Sequence, residues 1–102
     1  MFSIVVRFES PDDDAAALFD QLTGQVLPGI RDHDPGTLLY LTHTVEDAPL
    51  SRVFYEVYRN HDAHAAHEAR PEVAAFLQRV RENTSSLRVE FLLPDGSAYL
   101  PA

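Results

Sequence analysis

Three histidines at intervals of three residues are the most evident chemical feature of this chain. His61, His64 and His67 lie in the segment HDAHAAHEA, and imidazole is the side chain that most readily exchanges a proton near neutral pH. Residues three apart share a helix face, but a run of three drifts around the helix. Two of them could bind one metal ion, while the third would point away and no H-E-x-x-H pattern completes a site. The sequence therefore predicts no metal site, and it places His61 and His64 on a solvated helix face.

An aromatic strand directly precedes these histidines. Residues 52–59 read RVFYEVYR, so that Glu56 is surrounded by aromatic and β-branched neighbours. A carboxylate in such a setting is costly to bury unless it is paired. The interpretation that we favour for Glu56 is an ion pair with a cation on a neighbouring strand, either Arg7 or Arg88, rather than a role as catalytic base.

Alternating apolar residues predict four strands. The first reads FSIVVRFE, and its even-numbered residues form a strongly apolar face. The second and third are close in sequence and are expected to form an antiparallel hairpin-like pair. The predicted strands cover residues 2–9, 37–45, 50–59 and 86–93.

Helical spacing and capping residues predict the segments between these strands. Ser10 is the expected cap of the first helix, which should kink or stop near residues 26–30 because of Gly24 and Pro28. Asn60 is the expected cap of a short helix that ends at about residue 70, and Pro71 opens the next helix. The resulting order is β-α-β-β-α-β, with the second helical element broken at the proline. This order predicts an α+β, ferredoxin-like fold with an antiparallel four-stranded sheet.

One face of such a sheet is left without helices. The third strand carries Val53, Tyr55 and Val57 on that face, and the first strand adds Val5. A chain of 102 residues offers no second layer to cover them. We therefore expect a homodimer in which the two sheets face each other.

Length and charge exclude several classes of protein. The chain of 102 residues fits one domain over residues 1–102, with a core at 2–93 and a tail at 94–102 whose Tyr99 and Leu100 should pack on a partner subunit. The net charge of −8 disfavours a nucleic-acid partner. The absence of cysteine excludes a thiolate nucleophile and is typical of a cytoplasmic protein. No signal peptide or membrane span is evident, so we expect no membrane partner.

Residues 52–77 resemble the core of the antibiotic biosynthesis monooxygenase family. In that family a strand of the type F-Y-E-x-Y/W runs into a helix that ends in A-H, followed by a proline and an A-F-L helix. The resemblance extends over roughly residues 2–93 and implies a dimeric α+β barrel. The matching positions are Phe54, Tyr55, Glu56, Tyr58, Arg59, Ala66, His67, Pro71, Ala75, Phe76 and Leu77.

The resemblance also implies an activity. Members of the family oxidise reduced aromatic compounds, such as hydroquinones or polyketide phenols, with molecular oxygen. No glycine-rich phosphate loop is present, so the sequence predicts neither a flavin nor a nicotinamide cofactor. The substrate would then supply the electrons, and the protein would bind it, accept a proton and stabilise the anion.

Candidate site residues follow from this resemblance. His67 matches the family's helix position that faces the cavity and is the first candidate for the catalytic proton acceptor; the alternative is a helix-terminal histidine that caps the carbonyls before Pro71. His43 is the second candidate, although its strand position is also typical of an edge or interface histidine. The candidate substrate-binding residues are Tyr40, Phe54, Tyr55, Glu56 and Phe76.

Two other functions are compatible with the same fold. The first is a small-molecule-binding protein with a pocket and no turnover. The second is heme degradation, which in one branch of this fold uses an Asn on the first strand, a Trp in the helix and a later His as heme ligand. The corresponding positions here are Val6 or Arg7, His67, and Phe76 or Leu77, so that branch is the weaker match.

Overall fold

A computed structural model of the protein describes residues 1–98. The predicted α+β fold and element order are confirmed, with one antiparallel four-stranded sheet and three helices. Tyr99 and Leu100, for which we expect contacts with a partner subunit, lie outside the described residues. The elements are β1 (Phe2–Glu9), α1 (Asp13–His33), β2 (Thr37–Val45), β3 (Ala48–Tyr58), α2 (His61–Ala69), α3 (Pro71–Asn83) and β4 (Ser86–Leu92).

The strands lie in the order β2-β3-β1-β4. β1 and β3 are therefore central, and Val6 of β1 pairs with Phe54 of β3. On the other side of β3, Tyr40 of β2 pairs with Glu56. Paired residues point to the same face of an antiparallel sheet, so this register places Tyr40 and Glu56 side by side beneath the helices.

The hydrophobic core lies between the sheet and the helices, with Phe54 at its centre. The ring of Phe54 lies 4.9 Å from that of Phe8, 5.6 Å from that of Phe19 and 6.4 Å from that of Phe76, measured between centroids. Tyr40 adds a fourth ring at 5.7 Å. This aromatic cluster forms the packed surface on which the side chains at the end of α2 lie.

α1 has a different N-cap from the predicted one and does not stop near Pro28. Asp12, not Ser10, is the N-cap, and its carboxylate accepts a hydrogen bond from the backbone N–H of Ala15 at 2.8 Å. The helix also continues through Pro28 to His33, although an internal proline costs about 3 kcal/mol. Val26 and Ile30 on either side of it are buried, and burying side chains of this size contributes roughly 1.5–3 kcal/mol each. Packing therefore outweighs the local penalty.

The break between α2 and α3 is as predicted. The side chain of Asn60 caps α2 by accepting from the backbone N–H of Ala63 at 2.8 Å. Arg70 has an extended backbone with ψ 131°, because the α conformation is disfavoured for a residue that precedes proline. Pro71 then occupies the start of α3. The sharp turn at Arg70 sets the direction of α2 and so directs its last turn, with His67, towards the sheet.

The face of the sheet opposite the helices retains exposed apolar residues. Leu39 and Leu41 of β2 are 38% and 48% exposed. Tyr55, which pairs with Leu41, lies beside them. None of the helices within residues 1–98 is long and apolar enough to cross a membrane.

Candidate active site

A small cavity lies between the sheet and helices α2 and α3. Its volume is about 180 Å³. Its floor is formed by apolar and aromatic side chains of β1, β3 and β4, and its polar groups come from β2, β3, α2 and α3. The lining residues include Tyr40, Phe54, Glu56, His64, His67, Glu68 and Arg81.

His67 is held at the cavity wall by a buried carboxylate. Its Nδ1 lies 2.8 Å from Oδ2 of Asp34, the residue that ends α1, and both side chains are almost fully buried. The same oxygen accepts a hydrogen bond from the guanidinium of Arg70 at 2.9 Å. A carboxylate paired with arginine only accepts hydrogen bonds, so Nδ1 of His67 carries the hydrogen. This leaves Nε2 as the nitrogen of the neutral ring that can accept a proton.

The sequence left two interpretations of His67 open. The structure places its ring in the cavity wall, and the ring does not cap the backbone carbonyls at the end of α2. The backbone N–H of Arg70 bonds to the carbonyl of His67 itself, at 3.3 Å. The rings of Tyr40 and Tyr58 lie 5.5 Å and 5.4 Å from the imidazole. His67 therefore lies between a carboxylate that orients it and two aromatic side chains.

Glu56 is the second titratable group of the cavity, and its predicted ion pair is wrong. Arg7 pairs with Glu9, and Arg88 lies near Glu90. Glu56 instead accepts a hydrogen bond from the hydroxyl of Tyr58, two residues further along the same strand. Strand residues i and i+2 point to the same face, so the sequence carried the signal for this contact.

Burial determines the charge state of these groups. Burial raises the pKa of Glu56 to about 7, although the hydrogen bond from Tyr58 opposes that shift. Burial also raises the pKa of Tyr58, with the nearby charge of Glu56 as a second cause. Burial, followed by the charges of Glu56 and Asp34, raises the pKa of Tyr40 in the same way. The two tyrosines therefore remain neutral hydrogen-bond donors, while Glu56 changes its charge near neutral pH.

His64 was missed as a site residue, because the prediction of a solvated helix face is wrong for it. Its side chain is only 16% exposed and lines the cavity one turn before His67. It lies 3.4 Å from Glu68 and packs on the ring of Tyr58, with centroids 4.9 Å apart. Burial lowers the pKa of His64, and Glu68 opposes this shift. The spacing of three from His67 was the available signal.

Two predicted site residues lie elsewhere. His43 and Tyr55 are on the face of the sheet opposite the helices, since they pair with Val53 and Leu41 there. His43 is exposed, and its Nδ1 lies 2.8 Å from the carbonyl of Val53. The structure therefore does not bring them together with His67. The cause is the two-residue period of a strand, which sends neighbouring residues to opposite faces.

The remaining predicted residues lie on the helix side of the sheet. Tyr40, Phe54 and Glu56 line the cavity. Phe76 is buried in α3 and stacks on Phe54 with an interplanar angle of 7°, so it supports the floor and is not one of the residues that line the cavity. Within the part of the chain that the structure describes, no three His, Cys, Asp or Glu side chains are grouped so that they could hold a metal ion.

The arrangement combines an apolar floor with groups that exchange protons. A flat aromatic molecule could lie against Phe54, with the neutral hydroxyl of Tyr40 as a donor and His67 or Glu56 as proton acceptors. Fold and site together define a small ferredoxin-like α+β protein with a cavity between sheet and helices. The family model for antibiotic biosynthesis monooxygenases matches residues 1–88, and the chain belongs to this family.

Solved structures share the fold at low sequence identity. Rv0793 from Mycobacterium tuberculosis matches with a TM-score of 0.85 and 22% identity, covering 96% of this chain and 98% of that one. A candidate antibiotic biosynthesis monooxygenase from Deinococcus radiodurans matches with a TM-score of 0.84 and 19% identity, and the match covers both chains fully. SnoaB from Streptomyces nogalater, a cofactor-independent oxygenase, matches with a TM-score of 0.81 and 18% identity, and the match covers 95% of each chain. A comparison with curated protein sequences found no match.

Proposed function

We propose that the protein is a monooxygenase that oxidises a small aromatic compound with molecular oxygen and without an organic cofactor. The observation that carries the proposal is the position of His67 on the wall of an aromatic-floored cavity, where Asp34 orients it. Membership of the family supports the reaction class. SnoaB, which is named as a cofactor-independent oxygenase, has the same fold, and this likeness extends to the fold alone.

The size of the cavity favours a single-ring substrate. An engineered cavity of about 150 Å³ in another protein binds benzene. The cavity here, at about 180 Å³, fits one substituted ring. It is smaller than the roughly 300–1,000 Å³ of pockets for drug-sized ligands, so a hydroquinone fits better than a polycyclic phenol or a heme.

The proposed reaction is balanced without a further reductant. A hydroquinone and molecular oxygen give a hydroxyquinone and water. The substrate loses four electrons, one oxygen atom forms a new bond to a ring carbon, and the other leaves as water when the O–O bond breaks. The protein removes phenolic protons, because the phenolate passes an electron to oxygen more readily than the neutral phenol does. His67 accepts such a proton at Nε2, and Asp34 stabilises the imidazolium that forms.

We further propose that the protein acts as a homodimer. Leu39, Leu41 and Tyr55 provide an apolar surface on the face of the sheet that the helices leave open. A second copy of the same sheet would cover this surface with matching residues. His43 would then be an interface residue rather than a catalytic one.

Oxygen consumption tests the proposed reaction. The wild-type protein is supplied with single-ring hydroquinones or with polycyclic phenols, without added cofactor, and we expect turnover of the single-ring compounds. His67→Gln should lower turnover by about 10²-fold, because its amide can still bond to Asp34 but cannot take up a proton. His33→Gln, at an exposed histidine near the end of α1, is the matched control and should retain full activity. Binding of hydroquinones without oxygen consumption would instead identify a binding protein.

A further inference from the structure

Glu56 is a buried carboxylate without a cationic partner. It is 6% exposed, and no salt bridge within residues 1–98 includes it. Such burial costs several kcal/mol for an ionised group that is left without compensation. Oε1 of Glu56 accepts the hydrogen bond from Tyr58, while Oε2 has no protein partner within residues 1–98 and, unlike the unpaired hydroxyl of Thr23, is not fully enclosed. An acceptor oxygen that is accessible at the cavity and has no protein partner can bind a donor group of a ligand there.

The charged and titratable groups that face Glu56 come from three elements besides its own strand. β2 contributes Tyr40, which is its partner in the sheet, and β1 contributes only the apolar Ile4. The cavity wall opposite is formed by α2 and α3. The titratable and charged residues on that wall are His64, His67, Glu68 and Arg81.

We propose that Glu56 is a second catalytic proton acceptor, positioned by Tyr58, so that the cavity can take both phenolic protons of a single-ring dihydroxy aromatic substrate. This inference rests on the proposed function. Glu56 on β3 and His67 on α2 line the same cavity from opposite walls, which suits a ring that carries two hydroxyl groups. With one acceptor, the site would be matched to a monophenol instead.

The proton balance of the proposed step is complete. One phenolic proton passes to the Glu56 carboxylate and the other to Nε2 of His67, which leaves the hydroquinone dianion. Oxygen then forms a bond to a ring carbon and is reduced to a peroxide, whose outer oxygen takes back one proton. The proton on that ring carbon leaves, the O–O bond breaks, and the departing hydroxide takes the other proton to form water. The remaining proton ends on the new hydroxyl group of the hydroxyquinone.

The charge behaviour of Glu56 is consistent with this role. Its pKa of about 7 means that the carboxylate is available near neutral pH and yet basic enough to hold a proton from a phenol. Tyr58 lowers the pKa of Glu56 through its hydrogen bond. Removing that hydroxyl should therefore shift the titration of Glu56 to higher pH without removing the carboxylate.

Three single variants and one double variant distinguish a catalytic from a structural Glu56. Glu56→Gln keeps an oxygen that accepts from Tyr58 but cannot take up a proton, so hydroquinone turnover should fall by about 10²-fold. Tyr58→Phe should shift the pH–rate profile to higher pH, and this shift should vanish in the Glu56→Gln background. Glu82→Gln, at an exposed position on α3, should match the wild type. Equal turnover and an unshifted profile in all variants would overturn the inference.

A second measurement does not depend on turnover. Nitrophenol is a single-ring phenol that ionises near neutral pH and whose phenolate absorbs visible light, and it can be bound under anaerobic conditions. We expect a smaller fraction of bound phenolate in the wild type than in Glu56→Gln at the same pH, because an ionised Glu56 beside the phenol hydroxyl disfavours a second negative charge there, whether or not hydroquinones are oxidised. An equal fraction in both, or no binding to either, would overturn the role of Glu56. The nitrophenol measurement tests only the role of Glu56, whereas oxygen consumption tests the proposed reaction.

Discussion

The carboxylate of Asp34 lies 2.8 Å from Nδ1 of His67, although 33 positions separate the two residues in the chain. Arg70 holds the same carboxylate from the other side. The end of α1 and the last turn of α2 are therefore joined through one buried charge. This contact both stabilises the packing of the two helices and fixes the hydrogen on one nitrogen of the imidazole.

Asp34→Asn should impair both stability and catalysis. The neutral amide weakens charge-assisted hydrogen bonds that are typically worth about 1.5–3 kcal/mol, so the free energy of unfolding should fall by about that amount. The amide no longer stabilises an imidazolium, so kcat should fall at least about 10-fold. Denaturant unfolding and steady-state kinetics measure the two effects. The control is Asp32→Asn, whose side chain is exposed and 3.4 Å from Arg31; similar losses in both variants would contradict a specific role for Asp34.

Gly36→Ala should displace α2. A β-carbon at Gly36 would lie 2.5 Å from the β-carbon and 3.4 Å from the α-carbon of Ala63, so the helix must shift. Overpacking of this kind typically costs about 1–3 kcal/mol, and turnover should fall as well because α2 carries His64 and His67.

Gly24→Ala is the matched control for this substitution. No atom lies within 4 Å of the new β-carbon there, and alanine in a helix is better than glycine by roughly 1 kcal/mol. Thermal unfolding should therefore shift in opposite directions for the two variants. A Gly36→Ala protein as stable as the wild type would show that α2 is not held in this close contact.

The fold could be predicted because each local signal agreed with the global pattern. Alternation in β1, the cap at Asn60 and the break at Pro71 all depend on short-range sterics and hydrogen bonds, which a sequence displays directly. The course of α1 could not be predicted from the same signals. Its continuation past Pro28 depends on the burial of Ile30, which only the packed structure reveals.

The site was less predictable than the fold. The resemblance to a family indicated His67, and the strand period would have placed Tyr58 beside Glu56 and sent Tyr55 to the other face. By contrast, nothing in the sequence pairs Asp34 with His67, since their contact depends on how α1 and α2 meet. The size of the cavity likewise follows from side-chain packing, which no local pattern encodes.

The open face of the sheet predicts a stable dimer. Leu41 is 48% exposed on that face, and a charge placed there would be buried by a partner subunit. Stable interfaces bury well over about 1,000 Å² in total, so the wild type should sediment as a dimer at micromolar concentration. Leu41→Glu should shift it towards monomer, whereas Gln78→Glu on α3 adds the same charge to the helix side and should not. A wild type that sediments as a folded monomer would contradict the proposed dimer.

Glu56 should make the stability of the protein fall as pH rises. Burial raises the pKa of Glu56 to about 7 in the folded protein, well above the value of about 4.3 for an exposed glutamate. The folded state therefore retains a proton on Glu56 between these values, while the unfolded state releases it. The free-energy penalty for ionising Glu56 in the folded state is absent below about pH 4.3. It grows between about pH 4.3 and pH 7 and is complete above about pH 7.

Glu56→Gln removes this titration and should be compared with the wild type across that interval. Relative to the variant, the wild type should lose on the order of 3 kcal/mol of unfolding free energy between about pH 4 and pH 8. Urea unfolding at several pH values measures the difference, and Glu82→Gln, which alters an exposed carboxylate, should follow the wild type. Parallel pH profiles for the wild type and Glu56→Gln would mean that water or a moving side chain relieves the buried carboxylate. Burial would then not raise the pKa of Glu56, and Glu56 would be a weaker proton acceptor near neutral pH.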